Sequence, residues 1–282
     1  MRKRNSFISV LTMFLAIGFV IIFSKPVKAA ANGIILKANR TYTAYDVTGD
    51  GMKDKIRIRA ANQTDDETYT SLTVSVNGKT AYRLKNTRFY NVIANIYTLK
   101  NGQPFLYLYA PADNGDGPVC ALLKYTNGKF KKILDFTEIM AGYGNHRIGE
   151  VTNLNGNKIV ITESIVSYSL GINAINFTYK YVNGKFVPTS RYGSYKEIYS
   201  ADGSSRYFTV NSDLPAYTRP GATAVNTTLK TGSLTKIIKC ALINRKMYIQ
   251  LECDGEIYWI KALENPPISD NERQFMEVRY AG

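Results

Sequence analysis

The stretch Asp46-Val47-Thr48-Gly49-Asp50-Gly51-Met52-Lys53-Asp54 places oxygen-bearing side chains at relative positions one, three, five and nine, and a glycine at six. That spacing lets a tight loop turn Asp46, Thr48, Asp50 and Asp54 onto a hard cation such as Ca2+, with Gly51 taking the bend. An Asp-Gly hairpin turn with solvated acids is the plainer use of the same residues. Ile56 and Ile58 alternate with Lys55 and Arg57, which reads as a strand leaving the loop.

Other reactive chemistry is sparse. His146 is the only histidine, in the loop-like run Tyr143-Gly144-Asn145-His146-Arg147. Paired with Cys120 it would suit thiol hydrolysis, since a thiolate needs an adjacent base. Cys120, however, leads into the strand-like run Ala121-Leu122-Leu123-Lys124-Tyr125, whereas an activated thiol prefers a helix start or a basic pocket. Asp135, Glu138, Glu150 and Glu163 offer carboxylate pairs for sugar hydrolysis, but nothing in the sequence sets one pKa against another. One histidine and three scattered cysteines argue against zinc. The expectation is a protein with no catalytic residues. Cys120, Cys240 and Cys253 are odd in number, so they cannot form a complete set of intrachain disulfides. A hairpin turning near Asn244-Arg245 sets Cys240 opposite about Gln250 rather than Cys253, so buried free thiols are expected.

The elements around these residues begin with an export signal. Arg2-Lys3-Arg4 precedes an apolar run from Ile8 to Phe23 and the small-residue exit Ala29-Ala30-Ala31. The run is shorter than the roughly 20 residues of a spanning helix, so residues 1–31 read as a cleaved signal peptide, with no transmembrane segment left after cleavage. Removing that leader takes away five basic residues and no acidic one, lowering the formal charge from +14 to +9. The remaining excess is spread thinly, with its densest clump at Lys129-Phe130-Lys131-Lys132. Nucleic-acid binders concentrate charge on one face or arm, so no nucleic-acid partner is expected. Attraction to an anionic wall polymer or membrane surface is the better use of this charge.

Turn signals dominate the rest. Asn-Gly pairs at Asn77-Gly78, Asn101-Gly102, Asn127-Gly128, Asn155-Gly156 and Asn183-Gly184 sit between β-forming runs, the strongest short-range hairpin signal. With 21 tyrosines and no long helical periodicity, the fold class is all-β. The hairpins recur in two types. One turns at Asn77, Asn127 and Asn183, spaced 50 and 56 residues apart, and the other at Asp46–Asp54, Asn101 and Asn155. Each period holds about four strands, the content of one propeller blade. A tyrosine-rich sandwich with similar turns is the alternative. The expectation is a propeller-like array of about three four-stranded units over residues 32–205.

The first unit resembles the integrin-type calcium repeats called FG-GAP or VCBS, whose mark is D-x-x-G-D-G-x-x-D before alternating hydrophobics. Asp46, Thr48, Asp50 and Asp54 match, and the resemblance implies the carbonyl of Met52 as a backbone ligand and Ca2+ held structurally in a secreted β-repeat. Ile96 and Val151 stand in place of Asp46 in the later units, and Asp113-Asn114-Gly115-Asp116-Gly117 is a second, incomplete loop. Beyond a joint at Ala201-Asp202-Gly203-Ser204-Ser205, five short strands and a closing Gly255-x-x-Tyr258-Trp259-Ile260 resemble the bacterial Src homology 3 family. Tyr217, Pro220, Leu229, Gly232, Tyr248, Leu251, Gly255, Trp259 and Ile260 carry the likeness. It implies a small barrel over 206–265 that attaches to peptidoglycan, another cell-wall polymer or an envelope protein. Tyr217, Tyr248, Tyr258 and Trp259 are its candidate ligand residues, with core packing the plainer role of Trp259. In the tail, 266–282, Ser269-Asp270-Asn271-Glu272 predicts a capping box and a short helix through Val278. Together these features point to an exported, non-enzymatic binding or scaffold protein. An envelope hydrolase or hydrolase accessory, targeted by the barrel, is the alternative.

Overall fold

The computed structural model describes residues 34–64, 66–112, 117–198, 200, 203 and 206–279. The expected leader, the second acidic loop at 113–116 and most of the joint at 201–205 lie outside these described residues.

Two-residue turns set the architecture. At Asn77-Gly78, Asn127-Gly128 and Asn183-Gly184 both residues take positive φ, between 49° and 82°, the geometry that matches the right-handed twist of the flanking strands. A short β1 (Ile34–Ile35) precedes a first antiparallel meander of β2 (Arg40–Tyr45), β3 (Asp54–Gln63), β4 (Tyr69–Val76) and β5 (Lys79–Phe89). A second consists of β6 (Ile93–Thr98), β7 (Pro104–Ala110), β8 (Val119–Thr126) and β9 (Lys129–Asp135), with β1 added beside β6. The third opens with β10 (Gly144–Asn155), β11 (Lys158–Ser167) and β12 (Gly171–Val182). Its fourth position is shared. β13 (Lys185–Pro188) pairs with one end of β12 and β14 (Tyr192–Ile198) with the other. The two hairpin types therefore alternate along the chain as their spacing predicts. One joins the first and second strands of each meander and the other joins the third and fourth. At Asn155-Gly156 the turn slips by one residue: Asn155 still pairs with Lys158, and only Gly156 of the pair has positive φ.

β7 is the middle of the stack and is buried along almost its whole length. Its even-numbered Leu106 and Leu108 pack with Ile56, Ile58, Leu72 and Val74 of the first meander. Its odd-numbered Phe105, Tyr107 and Tyr109 join Ile159, Ile161, Ile175 and Phe177 of the third. A strand covered on both faces reads as a continuous apolar run, as Phe105-Leu106-Tyr107-Leu108-Tyr109 does.

The C-terminal segment forms β15 (Tyr207–Thr209), β16 (Leu214–Ala216), β17 (Thr227–Leu229), β18 (Leu234–Ile243), β19 (Lys246–Cys253) and β20 (Glu256–Lys261). β18 pairs with β14 from Tyr192↔Ala241 to Ser194↔Lys239, so one nine-stranded sheet runs through the expected boundary at 205. The β16–β17 pair joins β20 through a two-way backbone bridge between Tyr217 and Trp259.

Two expectations need correction. Cys240 lies opposite Ile249, not Gln250, because Asn244 and Arg245 are themselves the two turn residues and lock Ile243 against Lys246. Cys253 lies opposite Thr235, and all three cysteines are buried and free. The expected C-terminal helix is a single 3-10 turn, Asp270–Glu272, and the Ser269 side chain makes no cap. Glu272 reaches back past the cap residue instead, accepting the Ile268 N–H at 2.9 Å. The chain then extends so that Phe275 and Val278 bridge to Val210 and Ser200. Phe275 is fully buried and its ring lies 5.6 Å from that of Phe208. Burying a phenylalanine is worth about 1.5–3 kcal/mol, more than a short helix gains from propensity. Among the described residues, no helix is long and apolar enough to cross a membrane.

The continuity of this sheet is testable at Gly193 of β14, where a Cβ would meet Phe177 at 2.5 Å and Ile175 at 2.7 Å. Gly193→Ala is expected to cost about 1–3 kcal/mol by overpacking, and to lower one melting transition seen both by far-UV circular dichroism and by the fluorescence of Trp259. Two transitions, with only the first shifted, would show that the halves on either side of 205 fold separately.

Candidate functional site

The acidic loop between β2 and β3 is held by its own backbone. Asp46 accepts the N–H of Gly49 at 2.6 Å and of Gly51 at 2.8 Å, and Asp50 accepts that of Met52 at 2.8 Å. Partial desolvation acts upward on Asp46, but the N–H groups of Gly51 and Gly49 and the Thr48 hydroxyl outweigh it and hold the carboxyl below its ordinary value. Asp54, 1% exposed, accepts four hydrogen bonds. They come from the N–H groups of Val47 (2.7 Å) and Thr48 (2.8 Å), the Thr48 hydroxyl (3.2 Å) and Nδ2 of Asn77 (2.6 Å). These bonds fill most of the about four acceptor sites of the carboxylate, so Asp54 is chiefly an acceptor for the loop's own backbone. Asp46 and Asp50 keep unused lone pairs, and Met52 is exposed. The Thr48 hydroxyl lies 3.3 Å from Asp46 and 3.2 Å from Asp54, while among the described residues no three acidic, cysteine or histidine side chains converge as a metal site. The loop instead forms one wall of an open groove of about 680 Å3, facing Asn101–Pro104 and Lys124–Gly128.

The C-terminal aromatics separate. Tyr217, Tyr248 and Trp259 form a small cluster with Ala241, each at 6% exposure or less. Tyr258, on the opposite face of β20, packs against the main core. Trp259 is thus chiefly a packing residue, bordered by the exposed ring of Tyr192 at 5.9 Å.

Between the second and third meanders lies a cleft of about 280 Å3 that the sequence reading did not single out. It is walled by Tyr97, Tyr107 and Tyr109, with Asn95, Glu150 and Ser164 as its polar groups. Tyr107 donates to the Gly149 carbonyl at 2.8 Å, which fixes its ring, and Tyr97 stands edge-on to it at 6.3 Å. The signal was the tyrosine at every second residue in Tyr107-Leu108-Tyr109, which places both rings on one face of a strand.

Behind the cleft lie a buried thiol and a buried carboxyl, both with raised pKa values. The Cys120 thiol donates to the Gly149 carbonyl at 3.4 Å, and burial pushes it up to about 12. The same cause raises Cys240 to about 12. Glu163 is fully buried, and neither carboxylate oxygen has a hydrogen-bond partner. Burial drives its pKa well above 4.5, opposed by Arg147 and assisted by Asp135. Of the other candidate carboxylates, Asp135 accepts from the Thr137 N–H and hydroxyl, capping a 3-10 turn. His146 sits near the start of β10 with φ of 53°.

Comparison with known proteins finds no protein family, no curated protein and no solved structure that matches the chain. Fold and geometry therefore define the class: an all-β protein of stacked antiparallel sheets with an aromatic cleft between two of them.

Asp54→Ala is expected to destabilise the protein by about 1–3 kcal/mol, because it removes the acceptor of the buried Val47 N–H and of the Thr48 N–H and Asn77 amide. The loss should be equal in chelator and in calcium, as read by urea denaturation. A loss confined to calcium-containing buffer would make Asp54 a metal ligand instead. Glu163 sets a pH dependence. Its folded pKa lies above its unfolded one, so the native state binds the extra proton, and stability falls as pH rises from about 4.5 toward the folded value. The slope can reach about 1.4 kcal/mol per pH unit. Glu163→Gln is expected to remove that slope, leaving stability near pH 4 little changed and raising it at pH 8. A variant that tracks the wild type at both pH values would show that Glu163 is charged in the fold.

Proposed function

We propose that this chain is an exported, non-enzymatic binding protein of the cell envelope. In this reading the propeller-like array of hairpin units presents a protein or glycan site, and the SH3-like C-terminal part attaches the chain to a wall polymer or envelope protein. The observation that carries the reading is the cleft of Tyr97, Tyr107 and Tyr109, whose rings are fixed by packing and whose polar rim is Asn95, Glu150 and Ser164. Rigid aromatic walls with a few convergent polar groups suit a sugar ring or a peptide side chain, at little entropic cost. The hydrolase alternative lacks a comparable support. Its candidate thiol, Cys120, is raised to about 12 and is 1% exposed, and the most altered carboxyl, Glu163, is fully buried. Calcium enters the proposal only as a local ion on Asp46 and Asp50. At millimolar calcium a weak extracellular site contributes about 0.4–1.4 kcal/mol, enough to order a loop.

The test is co-sedimentation with purified cell walls and titration with soluble wall-derived saccharide-peptide fragments. Wild-type protein is expected to pellet and to bind the fragments. Ser164→Trp fills the cleft from an exposed position, and should weaken fragment binding at least about tenfold, the equivalent of about 1.4 kcal/mol, with an unchanged melting temperature. Protein that stays in the supernatant and binds no fragment overturns the proposal. Truncation at Ser205 is a poor test, because it would strip β18 from β14.

A further inference from the structure

The outer face of the nine-stranded sheet carries a second arrangement, distinct from the cleft. Cross-strand register sets Tyr192 beside Ala241, Ser194 beside Lys239, Lys239 beside Gln250, Gln250 beside Trp259, and Tyr248 beside Lys261. Alternation therefore brings Tyr192, Lys239, Trp259 and Lys261 to one side. There the cations lie over rings. Lys239 Nζ is 4.6 Å from the ring centre of Tyr192 and 5.9 Å from that of Trp259. Lys261 is 5.2 Å from Tyr217, the Arg191 guanidinium 5.4 Å from Tyr192, and Lys236 5.9 Å from Tyr207. Such contacts hold a cation in place without cancelling its charge.

Among the described residues, no direct ion pair cancels it. The ion pairs among the described residues are Arg88–Asp66, Lys132–Asp135, Lys230–Asp213 and Arg273–Asp270, and none includes Arg191, Lys236, Lys239 or Lys261. Glu252, opposite Lys236 in register, forms no ion pair with it. Four fixed, unpaired cations on one sheet face make a site for a polyanion.

We propose that this face binds a flexible phosphodiester polymer, the chemistry of a polyol-phosphate wall glycopolymer, through Arg191, Lys236, Lys239 and Lys261. The inference rests on the envelope reading above and names the polymer. Single-stranded nucleic acid is the competing polyanion, but it gains much of its affinity by stacking bases on open aromatic faces. Here Trp259 is 4% exposed, and the rings of Tyr192, Tyr207 and Tyr217 each carry a cation. What the face offers is charge at fixed points, which suits a chain of phosphates without bases.

The experiment uses the chain from residue 32 onward, with intact walls, walls stripped of phosphodiester polymer by hydrofluoric acid, and soluble poly(glycerol phosphate). Pelleting is expected to drop sharply on stripped walls. Lys236→Gln, Lys239→Gln and Lys261→Gln together should weaken poly(glycerol phosphate) binding at least about tenfold. They should also reduce the slope of log affinity against log salt by about two to three. Lys53→Gln, Lys131→Gln and Lys185→Gln together, an equal loss of charge at exposed positions elsewhere, should change binding less than about twofold. Lys239→Arg should retain binding, and melting temperatures confirm that each variant folds. Equal pelleting on stripped walls, or a face triple that binds like wild type, overturns this inference while leaving the envelope reading intact. Tighter binding of oligo-dT than of poly(glycerol phosphate) at roughly 0.15 M salt overturns it in favour of nucleic acid. Wild type that pellets with no wall yet binds the soluble polymer through these lysines would sink the envelope reading and support the polymer site.

Discussion

The register of an antiparallel hairpin is fixed at its turn, and a slip of one residue sends every side chain to the opposite face. In this protein that constraint decides what is inside. With Thr126 held against Lys129 by the Asn127-Gly128 turn, Leu123 faces the first meander, while Leu122 and Cys120 face the third. The next register would swap those faces and drive Lys124 toward a core. The same logic runs through β7, whose two faces feed two different cores. The turns therefore do more than connect strands: they decide which meander each side chain meets.

Burial on both faces has a chemical consequence. Polar groups carried inward by the tyrosine-rich face of the second meander must find partners or stay neutral. The Tyr107 hydroxyl and the Cys120 thiol both turn to the Gly149 carbonyl, left free at the edge strand β10. Gly149 itself is tight. A Cβ there would sit 2.2 Å from the Phe136 ring and 2.3 Å from Oε1 of Glu163. Glu163 finds no hydrogen-bond partner, and its burial favours the neutral carboxyl. A perturbed pKa marks a working residue when a substrate can reach it. For Glu163 and Cys120 the perturbation arises from the same closure that keeps substrate out.

Local chemistry was legible in the sequence, and distant pairing was not. Asn-Gly pairs announce hairpins because the required positive φ belongs to those two residues alone, and the two alternating hairpin types followed from their spacing. The acidic loop was legible as a tight turn. The hydrogen bonding of its third acid was not, because Asp54 depends on Asn77, 23 residues away. The run Ser269-Asp270-Asn271-Glu272 has the local form of a helix start, yet the burial of Phe275 against Phe208 requires extended chain. The seam between β14 and β18 left no local mark, since Tyr192-Gly193-Ser194 is short and polar and its partner lies beyond a glycine- and serine-rich stretch that reads as a joint. The cleft was half visible. The alternation of Tyr107 and Tyr109 gives one wall, but Glu150 and Ser164 come from another sheet.

That seam also gives the outer face its composition. Arg191 and Tyr192 come from the β14 side, Lys239 from β18, and Trp259 and Lys261 from β20. Trp259 is fixed in turn by the reciprocal backbone bonds to Tyr217, at 2.8 and 2.9 Å. A lysine on a long flexible stem normally loses rotamer freedom when it engages an anion. Lys239, resting between Tyr192 and Trp259, has given up part of that freedom on folding. The rings thus serve the cations rather than a stacked ligand, and they do so only while the strands on both sides of residue 205 remain paired. Any function of this face belongs to the joined sheet, and neither segment carries it alone.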